Sequence, residues 1–342
     1  MLTRRWAGRT LMVLRPDVEQ WARGVLDSVE ATHCEVGFDE VNVEIAGVSL
    51  LMSCDPQLTP MFSSAFFAAA SRVGDLAPRV YVSNAVPEEL WKASPIRYGD
   101  IDGRGAVAGS EQGDLAVAWN SGQFILSIMD RRERKVVYAK DTVFHPSEAG
   151  GPLRTPVHWL VSESGRAFFH AAAVVSDGKA VLLAGPSGAG KSTFAIRALE
   201  AGLPIVGDDY VVVALESKGP VVSPSYRTVK ARADSQLPGV GPEFDLANGK
   251  TARLLDESVM VKKAPVVAIA VVDPGGPGSP EPVDGSVAAR LLATSTILQV
   301  PLYAEHTLRM ASSIASKVPC FRVGWLNSPE STRKVVQEMV SR

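Results

Sequence analysis

One eight-residue segment constrains this chain more than any other: Gly185-Pro-Ser-Gly-Ala-Gly-Lys-Ser192 fits the pattern GxxxxGK[ST]. Glycine at Gly185, Gly188 and Gly190 lets backbone N–H groups curl around phosphate oxygens where a Cβ would intrude. In such a loop Lys191 reaches the β- and γ-phosphates, the Ser192 hydroxyl ligates Mg²⁺, and the helix that starts there adds its positive end. Pro186, Ser187, Ala189 and Thr193 complete the segment expected to line the nucleotide. The pattern needs a strand before it and a helix after it. Ala180 to Ala184 is an apolar run, and Ser192 to Ala201, ended by Gly202, places Phe194, Ala195, Ala198 and Leu199 on one helical face. ATP with Mg²⁺ is therefore the expected ligand, and a degenerate loop that binds nothing is the alternative.

Composition narrows the class. At 342 residues the chain is expected to hold two domains. Lys+Arg 35 against Asp+Glu 37 leaves a net charge of −2, without the positive surplus that nucleic-acid or anionic-membrane binding relies on. Cys34, Cys54 and Cys320 lie far apart and offer neither a disulfide framework nor a zinc site. The apolar run Leu11 to Leu14 is short for a secretory segment, and no stretch approaches the roughly 20 apolar residues of a membrane span. A cytoplasmic protein is the expectation.

Residues 1–150 read as a mainly antiparallel β domain with an accessory or substrate-docking role. Val41 to Ile45 and Val48 to Met52 flank the turn Ala46-Gly47, and Leu115 to Trp119, Phe124 to Ile128 and Lys135 to Tyr138 continue a meander. Gln20 to Val29 and Ser63 to Ser71 look helical. The Gly- and Pro-rich His145 to Pro152 marks a boundary. Residues 151–342 then read as an α/β domain. Thr155-Pro156 has the form of an N-cap with proline at the first helical position, and Asp177-Gly178 that of a hairpin turn. Val266 to Val272 is a continuous apolar run suited to a strand buried on both faces.

A nucleotide site needs a carboxylate for its metal, and two candidates compete. Asp273 ends the long apolar run before Pro-Gly-Gly, where a turn residue is also expected. Asp208 and Asp209 follow the short apolar run after the loop's helix. Adjacent like charges cost energy unless a cation or a proton separates them, so a pair can divide the work: Asp208 near Mg²⁺, Asp209 orienting and deprotonating a hydroxyl. One solvated acid and one capping acid is the bland reading. His170 alone reads as a packed histidine, and the other four histidines form no metal constellation.

Phe169-His-Ala-Ala-Ala-Val174, the loop Gly185 to Ser192, and Gly202-Leu-Pro-Ile-Val-Gly-Asp-Asp209 together resemble the catalytic core of the HPr kinase/phosphorylase family and its HPr-kinase-related proteins. His170 precedes Lys191 by 21 residues and Asp209 follows it by 18, as in that family's motif. The resemblance implies the P-loop fold variant shared with phosphoenolpyruvate carboxykinase. It implies Asp209 as the general base for a substrate serine, His170 as the histidine interacting with it, Lys191 on the phosphates and Ser192 on Mg²⁺. It also prefers the Asp208–Asp209 pair over Asp273. The resemblance spans about 153–342, is sharp over 169–209, and does not reach 1–150. HPr-specific enzymes carry an acidic residue after the first glycine of the loop and a glutamate after its serine, where this chain has Pro186 and Thr193. Their downstream signature is not matched either, which counts against HPr as acceptor and against phosphorolysis. Arg227, Lys230 and Arg232 remain candidates for phosphate contact, and Asp234 for the metal.

The expected activity is ATP-dependent phosphorylation of a hydroxyl, foremost serine of a protein or peptide such as a natural-product precursor, by a protein that forms some homo-oligomer. A small-molecule kinase, or a nucleotide-binding regulator without phosphoryl transfer, are the alternatives.

Overall fold

The apolar runs of the sequence assemble into two large mixed sheets, each covered on both faces. The computed structural model describes residues 2–6, 9–69, 74, 76–96, 106–108, 113–120, 124–231, 240–246, 249–300, 302–326 and 328–342, so Arg232 and Asp234 lie outside the described residues. The first sheet runs, edge to edge, Phe67–Ala68, Asp39–Ile45, Val48–Cys54, Arg79–Ser83, Lys135–Lys140, Ile125–Asp130, Leu115–Asn120, Ala106–Ala108. Asp39–Ile45 and Val48–Cys54 form a hairpin whose turn residues Ala46 and Gly47 both take positive φ. Arg79–Ser83 lies parallel to both its neighbours. The sheet is therefore mixed where the strand spacing predicts a plain meander, because spacing reports where strands are and not which of them pair.

The helix Pro16–Val36 starts with proline in its first turn and stops at Gly37 in the left-handed region, extending the expected Gln20 to Val29 at both ends. Its stripe Val18, Trp21, Ala22, Val25, Leu26, Val29 packs on Tyr81, Leu126, Ile128 and Val137 of one sheet face. The other face, with Val43, Ile45, Met52, Val82, Val136 and Tyr138, packs on Val157, Trp159, Phe168, Tyr210, Val212 and Tyr226. A single core thus crosses residue 150, and in the turn Pro146–Gly150 the side chain of Glu148 is buried.

The second sheet runs Ala167–Phe169, Val211–Glu216, Gly219–Pro224, Ala264–Val272, Lys179–Ala184, Ala172–Ser176, Ile205–Gly207, with Cys320–Val323 also paired to Ala264–Val272. Alternation divides its central strands between two faces. Val181 and Leu183 meet the helices Lys191–Glu200 and Pro329–Ser341, whereas Ala180, Leu182 and Ala184 meet Gly285–Ile297 and Ala304–Ala315. Lys179–Ala184, Ala264–Val272 and Cys320–Val323 are mutually parallel, so the segments that follow them emerge at one end of the sheet. A small antiparallel sheet of Thr228–Ala231, Thr251–Leu255 and Val240–Asp245 lies beside it. Among the described residues no helix is long and apolar enough to cross a membrane.

Candidate active site

The strand Lys179–Ala184 delivers the glycine loop and the helix Lys191–Glu200 leaves it. Gly185, Gly188 and Gly190 take φ of 151°, 82° and 104°. A Cβ on Gly185 would stand 3.0 Å from the Val272 carbonyl oxygen, and one on Gly190 would stand 2.5 Å from Trp325 Nε1, so at both positions glycine is needed for space as well as for φ. Lys191 is 6% exposed. Its Nζ donates to the carbonyl oxygens of Gly185 (2.9 Å) and Pro186 (3.1 Å), holding the ammonium over the loop's own backbone. Burial lowers its pKa, against the pull of Asp208 and Asp209.

Two strand breaks face each other beside this loop. One chain passage leaves Ala167–Phe169, turns at His170 with the Ala171 N–H donating to Phe169 O, and resumes as Ala172–Ser176. The other leaves Ile205–Gly207, turns through Asp208 and Asp209, and resumes as Val211–Glu216. Asp209 takes φ 65°, in the left-handed region that aspartate tolerates better than most residues. The strands on either side pair with each other, Ala173 opposite Gly207 and Phe169 opposite Val211. His170 and Asp209 are thereby brought face to face, with His170 Nε2 3.4 Å from Asp209 Oδ1.

The environments of the two acids differ. Asp209 Oδ2 accepts from Lys230 Nζ at 2.5 Å. Burial would raise its pKa, but Lys230 and His170 outweigh burial and hold the carboxyl well below the usual range. Asp208 is 1% exposed. Its Oδ2 accepts the Lys230 backbone N–H at 3.1 Å, while Oδ1 is buried without a hydrogen-bond partner. Burial and the charge of Asp209 push its pKa up, opposed in part by the Lys230 N–H and the nearby Ser192 hydroxyl. A buried, unpartnered carboxylate oxygen next to a hydroxyl fits a hard divalent cation, which prefers oxygen donors and completes its shell with substrate phosphates and water. Ser192 and Asp208 would hold Mg²⁺ there. Among the described residues no group of three or more His, Cys, Asp or Glu is placed to hold a metal ion.

A hydrogen-bond chain behind His170 sets its tautomer. The Tyr210 hydroxyl donates to Gln299 Oε1 (2.5 Å), which turns Gln299 Nε2 toward His170 Nδ1 (2.7 Å). Nδ1 must then accept, and the ring proton sits on Nε2, facing Asp209. Ser295 Oγ also meets Nδ1 at 2.5 Å, and Thr296 Oγ1 accepts the His170 backbone N–H. Arg154 is a further, half-buried cation of this region, its charge opposed by desolvation and reinforced by Tyr210, Glu148, Tyr138 and Asp209. It opens the helix Arg154–Glu163, whose N-cap is Leu153 in the left-handed region. Thr155 therefore lies inside the first turn and does not cap it. Arg154, Gln299 and Ser295 carry no local motif, whereas Tyr210 had one weak signal, adjacency to the acid pair.

Asp273 is placed as a turn residue. Its Oδ1 accepts the Gly275 N–H at 3.1 Å and its Oδ2 stands 3.8 Å from Arg322. Arg227 donates to Leu255 O and stands 3.8 Å from Glu257, so it is committed to the small sheet, while Lys230 is committed to Asp209.

No family model matches the chain, and no curated protein matches it. Among solved structures, the Hpr(Ser) kinase/phosphatase from Coxiella burnetii aligns over 50% of this chain and 94% of its own, at 14% identity and a TM-score of 0.28. A likeness of that strength assigns neither a fold nor a function.

Proposed function

We propose that this chain is a Mg²⁺·ATP-dependent phosphotransferase of the HPr-kinase-like kind whose acceptor is a hydroxyl, foremost serine of a protein or peptide. The observation that carries the reading is the meeting of Asp209, its partners His170 and Lys230, and the cation-ready pair Asp208 and Ser192 beside one glycine loop. The loop's N–H groups and Lys191 bind the phosphates. Mg²⁺ supplies neutralisation of the charge that develops on the phosphates during transfer. Asp209, kept ionised by Lys230 and His170, accepts the hydrogen bond of the acceptor hydroxyl and aims its oxygen at the γ-phosphorus. As the acceptor O–P bond forms, the bond to the β–γ bridging oxygen breaks, ADP leaves with that electron pair, and the hydroxyl proton passes to Asp209. A low-pKa carboxylate suits this work, because the proton moves late in a loose transition state and orientation counts for more than basicity.

Asp209→Asn tests the reading cleanly, since asparagine also tolerates the left-handed backbone. Purified protein with Mg²⁺·ATP and hydroxyl-bearing peptides should add the mass of one phosphate. The variant should keep its ATP affinity while transfer falls by about two orders of magnitude or more. A wild-type protein that binds ATP and phosphorylates no hydroxyl would sink it.

A further inference from the structure

Trp325 follows the strand Cys320–Val323 and emerges at the same end of the sheet as the glycine loop. It is 57% exposed, yet its Nε1 donates to the carbonyl oxygen of Ala189 at 3.0 Å, inside the loop itself. No other exposed large apolar side chain among the described residues is bonded to the loop. Its backbone is held as firmly. The Gly324 N–H donates to Pro277 O, and a Cβ on Gly324 would stand 2.2 Å from Gly276 O, so two loops cross there with no room to shift. Thr193 and Arg197, on the helix leaving the loop, line a shallow recess beside the indole.

An exposed indole normally carries a solvation penalty and a free rotor. Here the polar N–H is satisfied internally and the ring is pinned, so what remains open is a rigid π-surface directly beside the glycine loop. Pre-ordering means that a planar ligand stacks on it at little entropic cost. We propose that Trp325 is the stacking platform for the nucleobase of the nucleoside triphosphate. This deepens the proposed use of the loop and rests on it.

The proposal separates base recognition from phosphate recognition, and inorganic tripolyphosphate makes the separation measurable. The full chain, with Mg²⁺, is titrated calorimetrically with ATP and with tripolyphosphate in wild type, Trp325→Ala and Trp325→Phe. Trp325→Ala should weaken ATP about tenfold or more, the order expected for losing one base–aromatic stack, and leave tripolyphosphate within about twofold. Trp325→Phe, which keeps a ring and loses the N–H, should retain most of the ATP affinity. ATP should also quench indole fluorescence in wild type and not in Trp325→Phe. Equal losses for both ligands in Trp325→Ala would make the residue a brace of the loop, and unchanged ATP affinity would place the base elsewhere; either overturns the proposal. Tripolyphosphate binding that survives Trp325→Ala and vanishes in Lys191→Ala would leave the phosphate-loop reading standing whichever way the base result falls. A wild type that binds neither ligand overturns both.

Discussion

Two neighbouring aspartates titrate in opposite directions because one is paired and the other is not. Asp209 has a depressed pKa, so its contribution to stability is present above the unfolded-state pKa and is lost as pH falls through the folded one. Asp208 has a raised pKa, so the folded state gains from its protonation and carries its buried charge at a cost at neutral pH. Asp208→Asn should therefore stabilise the metal-free protein at neutral pH by about 1 kcal/mol, near 2 °C in Tm, while abolishing Mg²⁺-dependent nucleotide binding. Scanning calorimetry and a titration with Mg²⁺·ATP read the two effects. In wild type the same raised pKa should make Mg²⁺·ATP affinity decline on acidification sooner than an ordinary aspartate would allow. At Gly190 the constraint is steric. Gly190→Ala meets both a φ of 104° and the Trp325 indole at 2.5 Å, and should cost upwards of about 1 kcal/mol in urea unfolding, seen as a lowered midpoint, while displacing the indole, read as a shifted fluorescence maximum.

Between elements, the site depends on what the helix Gly285–Ile297 and the residues just after it bring to the sheet. Gln299 couples Tyr210 to His170 from a position 129 residues along the chain. Gln299→Leu should release the His170 ring from its tautomer and lower phosphoryl transfer about tenfold with ATP affinity unchanged. Ring ¹⁵N shifts of His170 would report the tautomer directly, which a loss of packing alone would not move. Arg154 belongs to a second cluster in the core that crosses residue 150, where Tyr138 donates to Glu148 Oε2 at 2.7 Å. Arg154→Met should lower stability by about 2 kcal/mol, because it removes a positive charge close to the buried Glu148.

For the molecule as a whole, the shared core makes the two sheets one folding problem. Val157, Trp159, Phe168, Tyr210 and Tyr226 bury their rings and methyls against strands of the first sheet, so residues 151–342 alone would expose a large apolar face. The full chain should unfold in a single transition with calorimetric and van't Hoff enthalpies in agreement, and a second resolved transition would show that the halves are independent.

The sequence by itself determined the parts whose physics is local. Three glycines, a lysine and a serine within eight residues specify the glycine loop between the strand Lys179–Ala184 and the helix Lys191–Glu200, because φ freedom, helix start and charge all act over that span. Apolar alternation likewise located Val41 to Ile45 and Val48 to Met52 within the hairpin Asp39–Ile45 with Val48–Cys54, and the continuous apolar run Val266 to Val272 located most of the strand Ala264–Val272, since both signals are written in consecutive residues. The spacing of His170 and Asp209 about Lys191 was readable only through resemblance, as spacing carries no distance. Tertiary structure alone decided that Arg79–Ser83 pairs parallel on both sides, that Lys230 takes Asp209, that Gln299 sets the histidine, and that Trp325 lies against Ala189. These are contacts between segments remote in sequence, settled by which faces bury together and which buried polar atoms must find partners, and no local propensity encodes either.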